Sequence, residues 1–320
     1  MGSTGELLQK LQEGRGDEAL LGLYGLDGSD ASLEKGRERA VRVVRAFEAE
    51  FGARPEAALF SGPGRTEIGG NHTDHQHGRV LCGSVDLDML ACAAPNGTDL
   101  VRIQSEGYPA LEVDLRDLKV REEEKNSSPA LVRGVAARLA ELGCRPAGFD
   151  AYVTSTVLSG SGLSSSAAYE ILVATIIDCF FGGGTLDPVE RAKVGQYAEN
   201  VYFGKPCGLM DQMGSSVGGA VAIDFADPAA PVVKKVEYDF TRSGHALCIV
   251  DTGSCHADLT DDYADITREM GAVAAHFGKK FLRDVDEGAF RAALPQLRQE
   301  CGDRAVLRTM HFFEEDCRAE

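Results

Sequence analysis

The stretch Leu158-Ser-Gly-Ser-Gly-Leu-Ser-Ser-Ser-Ala-Ala168 decides the fold and the class of function of this chain. It follows a strand-like run over residues 149–158 and opens onto an apolar, helix-forming run over residues 167–181. In such a strand, loop and helix layout, glycines let backbone N–H groups converge on an anion, and the helix N-terminus adds positive potential. The stretch therefore predicts a loop that binds a polyphosphate ligand.

Two common phosphate loops fit this stretch poorly. A Walker A loop ends in Gly-Lys-Ser/Thr, and no lysine lies between Leu158 and Phe181. The dinucleotide fingerprint needs a third glycine where Ser165 stands. An ordinary helix cap, made by one of the three serines without any ligand, stays open as the alternative.

Composition and charge limit the class of protein. The chain has 320 residues and a formal net charge of −17, which argues against nucleic acid or an anionic membrane as a partner. No apolar span of 18 residues is expected, and the N-terminus lacks the basic and apolar regions of a signal peptide. The nine cysteines are odd in number, scattered and without a C-x-x-C pair, which predicts a reducing, cytoplasmic location.

Strand and helix signals are mixed without strict alternation, so the predicted fold class is α+β. Capping and stop signals predict helices from Ser32 to Gly52, from Pro129 to Gly143 and from Pro188 to Gly204, with further helices from about Asp258. Strands are expected over 85–114, 218–224 and 246–251, and a functional loop over 60–84.

A second cluster of polar residues lies in the glycine-rich segment from Gly62 to Gly78. Its Asn, His and Asp side chains could bind sugar hydroxyls, and Arg65 could meet a phosphate in bidentate fashion. Two other interpretations stay open, a solvated polar loop and a zinc site, although the histidine spacing matches no common zinc motif. The zinc site would use His72, Asp74, His75 and His77.

A third segment, Gly204-Lys-Pro-Cys-Gly-Leu-Met-Asp-Gln-Met-Gly214, carries Asp211 in small and apolar surroundings. A carboxylate in such surroundings is a candidate base or orienting group, although a helix N-cap or a buried structural Asp is the alternative. Glu199 falls in the last turn of the preceding predicted helix, where a surface glutamate is the usual interpretation.

Together these segments resemble the GHMP small-molecule kinases, and within them the galactokinase family. Gly64-Arg-Thr-Glu-Ile-Gly-Gly-Asn-His-Thr-Asp74 is similar to the family signature Gly-Arg-x-Asn-x-x-Gly-Glu-His-Thr-Asp. Residues 160–167 match the GHMP phosphate motif, and Cys207-Gly-Leu-Met-Asp-Gln212 matches the segment that holds the catalytic Asp. The resemblance runs in order from about residue 55 to the end of the chain.

The resemblance implies ATP as co-substrate, Mg²⁺ as cofactor and galactose as the sugar that is phosphorylated on its 1-hydroxyl. Arg65 would stabilise the transferring phosphoryl group, and Asp211 would accept or orient the hydroxyl proton. Ser166 and Glu199 would hold Mg²⁺. The sugar would be contacted by Asn71, His72, Thr73, Asp74 and Tyr263. The ATP would be bound by Gly160, Ser161, Gly162, Leu163, Ser164, Ser165, Ser166 and Ser105.

Several residues depart from the family pattern. Asn71 replaces the Glu of the signature and Glu67 replaces its Asn, while Leu158 and Ala264 stand where Pro and Asn are usual. The third, glycine-rich motif of the family is not found before Glu320, so an incomplete C-terminal domain is expected. The departures leave two other functions open: another GHMP sugar kinase, such as an N-acetylhexosamine 1-kinase, and a galactose and ATP sensor without turnover.

The resemblance also implies a domain organisation. Residues 1–30 would form an N-terminal extension, residues 31–235 the ATP- and sugar-binding domain, and residues 236–320 a truncated C-terminal domain, with the active site between the domains. The sequence leaves the oligomeric state open, with a monomer as one option.

Overall fold

The protein is described by a computed structural model that covers residues 1–24, 30–157, 160, 162–238, 243–245, 247–250 and 260–320. The chain passes back and forth between two compact units. Unit 1 consists of Met1–Gly64, Val85–Leu158 and Ser164–Lys205, and unit 2 consists of Arg65–Ser84, Ser159–Leu163 and Pro206–Glu320. Strands and helices are mixed in each unit, which confirms the α+β class. The domain boundary expected at residue 235 stays a prediction.

The first part of the chain supplies the elements of unit 1, two of which, β1 and β2, continue into unit 2. The helices are α1 (Thr4–Gln12), α2 (Asp17–Tyr24), α3 (Asp30–Phe51), α4 (Ser128–Glu141), α5 (Ser165–Ile177) and α6 (Pro188–Tyr197). The strands are β1 (Ala58–Gly69), β2 (Arg79–Pro95), β3 (Leu100–Ser105), β4 (Leu111–Asp114) and β5 (Phe149–Ser155). Helices α5 and α6 each continue into a π-helical turn, over Asp178–Gly182 and Ala198–Phe203.

Strand β5 lies at the centre of the sheet in unit 1. It pairs in antiparallel fashion with the second part of β2, from Met89↔Ser155 to Pro95↔Phe149, and in parallel with β3. Strand β4 extends the sheet beyond β3. The chain therefore leaves a central strand where it enters the glycine and serine loop.

Helices α4 and α5 bury nearly all of their apolar side chains in the core of unit 1. The stretch Ser165–Gly182 is long and apolar enough, by length and composition, to cross a membrane, so the expectation of no such span was wrong. More than half of this stretch is buried inside the protein, as in the core helix of a globular domain. Strand β1 approaches α5 so closely that a Cβ on Gly62 would lie 2.4 Å from the Ala168 carbonyl oxygen.

The predicted helix signals are confirmed with small shifts at the ends. Helix α3 begins at Asp30, two residues before the expected Ser32, and ends at Phe51. Helix α4 has Ser127 as its N-cap and proline in its first turn. Asp187 caps α6 by accepting a hydrogen bond from the Val189 N–H, and Gly204 ends the following π-turn with φ of 89°.

The later part of the chain forms most of unit 2. Its elements are α7 (Met210–Val217), β6 (Ala220–Asp224), β7 (Val232–Val236), α8 (Thr260–His276), α9 (Glu287–Ala292), α10 (Leu294–Glu300) and α11 (Asp303–Arg318). The first part of β2 pairs with β6, and β6 pairs with β7. Helices α8 to α11 share a core around Val273, Phe290 and Phe312.

The structure corrects two predicted elements, the loop over 60–84 and the strand over 246–251. The polar segment 60–84 is mostly strand, and the loop itself is confined to residues 70–78, because β1 extends to Gly69 and β2 starts at Arg79. No strand forms over the described residues 247–250 of the predicted strand 246–251. Leu247, Ile249 and Val250 are exposed, so the alternating apolar pattern there has no buried face to cover. Residues 246 and 251 lie outside the described part of the chain.

A buried charge cluster stabilises the sheet of unit 1. The Asp150 carboxylate on β5 is fully buried and accepts hydrogen bonds from Arg102, Arg54 and Asn96 at 2.7–2.8 Å. Burial alone would raise the pKa of Asp150, but the bonds from these donors outweigh it and lower the pKa. The ion pairs thus hold an ionised carboxylate inside the sheet.

Candidate active site

The described residues of the glycine and serine loop include three with positive φ, two of them glycines. Gly160 and Gly162 have φ of 75° and 78°, in the left-handed region that favours glycine. The N-cap of α5 is Ser164, also left-handed with φ of 54°, and its side chain makes no capping hydrogen bond. The helix-cap interpretation is therefore not supported. Ser161, with Leu158 and Ser159, lies outside the described residues.

Ser166 and Glu199, the predicted Mg²⁺ ligands, lie together in unit 1. The Ser166 Oγ, in the first turn of α5, donates a hydrogen bond to Glu199 Oε1 at 3.2 Å. Glu199 lies in the π-turn after α6 and is only 3% exposed, so the expectation of a surface glutamate was wrong. The Lys205 Nζ is 3.9 Å from the same carboxylate oxygen. A hydroxyl beside a carboxylate is an oxygen donor set that suits Mg²⁺, which binds few protein ligands and completes its shell with phosphate oxygens and water.

Arg65 connects the glycine and serine loop to Asp211 within unit 2. Its side chain is 6% exposed, and its Nη1 donates to the Gly162 carbonyl oxygen at 2.7 Å. Its Nε and Nη2 both donate to Asp211 Oδ1, at 2.8 and 2.6 Å. The Arg65 backbone N–H also donates to the Leu163 carbonyl oxygen at 3.1 Å. Gly162 and Asp211, which are about fifty residues apart in sequence, thus both accept hydrogen bonds from the buried Arg65 side chain.

Asp211 lies in the first turn of α7 but does not cap this helix, because Leu209 occupies the N-cap position. Its side chain is 27% exposed, so it is accessible from outside the protein. The start of α7 is held by Asp74, whose Oδ2 accepts a hydrogen bond from the Met210 N–H at 3.2 Å. Gly208 packs directly on Asp74, and a Cβ at this position would lie 1.8 Å from the Asp74 Oδ2.

Four of the five predicted sugar-binding residues, Asn71, His72, Thr73 and Asp74, share the loop over 70–78. Asn71 and His72 are exposed, whereas Thr73 and Asp74 are buried. The Thr73 hydroxyl closes the loop by donating to the carbonyl oxygens of Gly70 and Arg79, at 3.2 and 2.5 Å. Asn71 and His72 are therefore accessible from outside the protein, while Thr73 and Asp74 shape the loop.

Burial shifts the pKa of several groups around this loop. Desolvation raises the pKa of Glu67, against the opposing effects of His72 and Arg65, and it lowers the pKa of His75. Burial also raises the pKa of the Cys82 thiol to about 12, which keeps it protonated and unreactive at neutral pH.

The alternative of a zinc site in this loop is not supported. Among the residues that the structure describes, no group of three or more His, Cys, Asp or Glu side chains is arranged to hold a metal ion. His77 instead stacks on Phe281, with ring centroids 3.6 Å apart, and His72 faces Glu67 with 3.7 Å between Nε2 and Oε2.

Two predicted site residues are not brought to these groups by any described contact. Ser105 ends β3, where its carbonyl oxygen accepts hydrogen bonds from the Gln104 side chain and the Tyr108 N–H. Tyr263 lies in α8, and its side chain is outside the described part of the structure.

Two acidic residues in the last turn of α11 contact the 70–78 loop and the first residue of β2, and neither was predicted from the sequence. Glu315 Oε2 accepts hydrogen bonds from the N–H groups of Gly70 and Asn71, at 3.2 and 3.1 Å. Asp316 Oδ1 accepts one from the Arg79 N–H at 2.6 Å. The separation of more than 230 residues leaves no local sequence signal that could have identified these contacts.

Two family models match the chain in the regions of the two loops. The galactokinase galactose-binding signature matches residues 45–95, and the GHMP kinases N terminal domain matches residues 130–219. The first match contains Arg65 and the 70–78 loop, and the second contains the glycine and serine loop, Glu199 and Asp211.

Known galactokinases are similar to most of the chain. The galactokinase of Streptomyces coelicolor is 33% identical over 285 residues, which are 89% of this chain and 73% of that protein. The human galactokinase is 31% identical over 269 residues, which are 82% of this chain and 67% of that protein. The crystal structure of Lactococcus lactis galactokinase complexed with galactose superposes with a TM-score of 0.70 at 23% identity, covering 86% of this chain and 71% of the other. This last similarity establishes the shared fold.

Proposed function

Because the chain belongs to the galactokinase family of GHMP kinases, we propose that it transfers the γ-phosphoryl group of ATP to the 1-hydroxyl of α-D-galactose. The products are galactose 1-phosphate and ADP. The observation that carries the proposal is the position of Arg65, which hydrogen-bonds both the phosphate loop at Gly162 and the carboxylate of Asp211.

The glycine and serine loop is proposed to bind the ATP phosphates through its backbone N–H groups. Its glycines at positive φ support this role, since glycine lets the backbone approach an anion closely. Ser166 and Glu199 are proposed to hold Mg²⁺. When bound, this ion supplies positive charge to the β- and γ-phosphate oxygens.

Arg65 is proposed to stabilise the charge that develops on the transferring phosphoryl group. Its burial supports this role, because a guanidinium in a poorly solvated site acts strongly on a nearby anion and needs little reorganisation. Its fixed bonds to Gly162 and Asp211 preorganise the cation before the substrates arrive.

Asp211 is proposed to act on the sugar hydroxyl. A sugar hydroxyl is a weak acid, so a carboxylate that accepts its proton late, or holds it in line, lowers the barrier to transfer. The partial exposure of Asp211 supports access by a substrate, and its two bonds from Arg65 orient the carboxylate.

Galactose is proposed to contact the 70–78 loop through Asn71 and His72, with Thr73 and Asp74 fixing the loop behind them. Tyr263 is proposed as a further sugar contact on the basis of the family resemblance alone. We also propose a cytoplasmic location, which the eight free cysteines of the described chain support.

A hexose panel tests the proposed function. ADP release would be measured with galactose, glucose, N-acetylgalactosamine and no sugar, and the sugar product identified by ³¹P NMR. We expect one ADP per galactose 1-phosphate, and galactose as the preferred acceptor. Preference for the N-acetylated sugar would assign a different GHMP kinase, and tight binding of ATP and galactose without ADP release would assign a sensor.

A further inference from the structure

We infer that Glu315 and Glu67 are positioning residues that hold the backbone of the sugar loop, so that α11 sets the affinity for the sugar. The inference rests on the proposed sugar-binding role of residues 70–78. It concerns three consecutive backbone N–H groups, those of Gly70, Asn71 and His72.

Each of these three N–H groups donates to a carboxylate. Gly70 and Asn71 donate to Glu315 Oε2 at 3.2 and 3.1 Å, and His72 donates to Glu67 Oε1 at 3.0 Å. The two carboxylates come from different elements, Glu67 from β1 and Glu315 from the last turn of α11. Hydrogen bonds to charged groups are stronger than those between neutral groups, so this arrangement fixes the loop at its start.

The backbone at this point needs such support. Gly70 has φ of 81° and His72 has φ of 49°, and the left-handed conformation is unfavourable for a residue with a side chain such as His72. Both carboxylates are largely buried, with side chains 13–15% exposed. The bond from Gly70 is partly buried, whereas those from Asn71 and His72 are exposed, so the loop is held by three bonds to two anchored carboxylates rather than by burial.

The same turn of α11 also holds the first residue of β2, directly after the loop. Asp316 accepts a hydrogen bond from the Arg79 N–H at 2.6 Å, and its carboxylate pairs with the side chains of Arg79 and Arg283 at 3.0 Å. Glu315 itself is paired with Arg318. Glu315 and Asp316 thus accept hydrogen bonds from the backbone on both sides of the loop, at residues 70–71 and at residue 79.

The fixed backbone of the loop favours sugar binding. A loop that is held in its binding conformation before the sugar arrives loses little conformational entropy on binding, so affinity is high. Loss of the Glu315 hydrogen bonds keeps the side chains of Asn71 and His72 but leaves the backbone that carries them less ordered. We therefore expect the KM for the sugar to rise, with a smaller effect on the KM for ATP.

The test compares Glu315→Ala with Glu315→Gln, which keeps an acceptor oxygen of the same reach, and with Glu314→Ala as the matched control. Glu314 is the adjacent glutamate on α11, 52% exposed and near Arg318. We expect Glu315→Ala to raise the KM for galactose by about tenfold or more, as the loss of charged hydrogen bonds predicts. Glu315→Gln, whose amide oxygen accepts the same bonds without the charge, should recover part of this loss, and Glu314→Ala should remain within about twofold of the unchanged protein, since surface changes have small effects.

A second readout does not depend on activity. Hydrogen exchange of the Gly70 and Asn71 amides should be about tenfold faster or more in Glu315→Ala, and unchanged in Glu314→Ala. If the unchanged protein does not phosphorylate galactose but these amides behave as expected, the proposed function fails while the loop contact stands. If Glu315→Ala folds poorly, Glu315→Asp is measured instead; its side chain is shorter by one methylene, so the carboxylate no longer reaches the Gly70 and Asn71 amides. An unchanged KM for galactose, or unchanged exchange at Gly70 and Asn71, overturns the inference.

Discussion

Replacing Gly208 with alanine should damage both the fold and the proposed sugar site. The new Cβ would lie 1.8 Å from the Asp74 Oδ2, 2.5 Å from its Cγ and 2.9 Å from its Oδ1. Because real Cβ atoms essentially never approach closer than 3.0 Å, the Asp74 carboxylate or the backbone at Gly208 must shift, by more than 1 Å in total. Asp74 has little room to move, because it is only 8% exposed. A shift of its carboxylate would also break the hydrogen bond from the Met210 N–H, which is already 3.2 Å long.

The cost can be estimated from these contacts. Loss of a hydrogen bond to a charged group costs about 1.5–3 kcal/mol, and overpacking of a filled site costs about 1–3 kcal/mol. We therefore expect Gly208→Ala to lower the free energy of unfolding by about 3 kcal/mol, within a factor of about two. The start of α7 carries Asp211, so kcat should fall as well.

Urea unfolding and steady-state kinetics measure the two effects. Gly271→Ala is the matched control, since this glycine lies inside α8 with nothing within 4 Å of an added Cβ. Alanine is the better helix former, so the control should be unchanged or stabilised by up to about 1 kcal/mol. Combining Gly208→Ala with Asp74→Ser should cost less than the sum of the two single changes. A Gly208→Ala protein as stable and as active as the unchanged protein would refute the packing described for Asp74.

Two further predictions concern unit 1. Gly62→Ala should destabilise the protein by about 1–3 kcal/mol, because its Cβ would lie 2.4 Å from the Ala168 carbonyl oxygen, while Gly22→Ala, with open space around it, should not. Thermal unfolding measures both, and equal melting temperatures for the two variants would contradict the close approach of β1 and α5. The pKa of Asp150 is lowered in the folded state, so its contribution to stability is present above the unfolded value of about 3.9 and is lost as the pH falls through the folded value. Urea unfolding between pH 6 and pH 3 should show the stability difference between the unchanged protein and Asp150→Asn shrinking toward low pH, and a constant difference would rule out an ionised Asp150.

Local signals in the sequence predicted most of the helices and the loop that precedes α5. Asp187, Pro129 and Gly204 act at helix ends through their own backbone and side-chain chemistry, so a single sequence is enough to place them. The alternating pattern at 247–250 misled the prediction, because alternation predicts a strand only where one face is buried by other parts of the chain.

The candidate site was predicted in its residue types but not in its contacts. Arg65 and Asp211 were assigned separate roles, and only the structure shows that they share two hydrogen bonds. Glu199 is buried although its position near the end of a helix indicated a surface residue. Glu315 was missed altogether, because its partners lie more than 240 residues away and an acidic residue in a polar helix carries no distinguishing pattern.

The central claim is that Asp211, which Arg65 holds beside the Gly162 carbonyl oxygen, acts on the sugar hydroxyl during transfer to galactose. Its most direct test is the rate of galactose 1-phosphate formation by Asp211→Asn, with the dissociation constant of galactose measured on the same protein. We predict a dissociation constant within a few-fold of that of the unchanged protein and a kcat lower by about a hundredfold or more, the usual contribution of a positioned acid or base. A kcat close to that of the unchanged protein would contradict the claim.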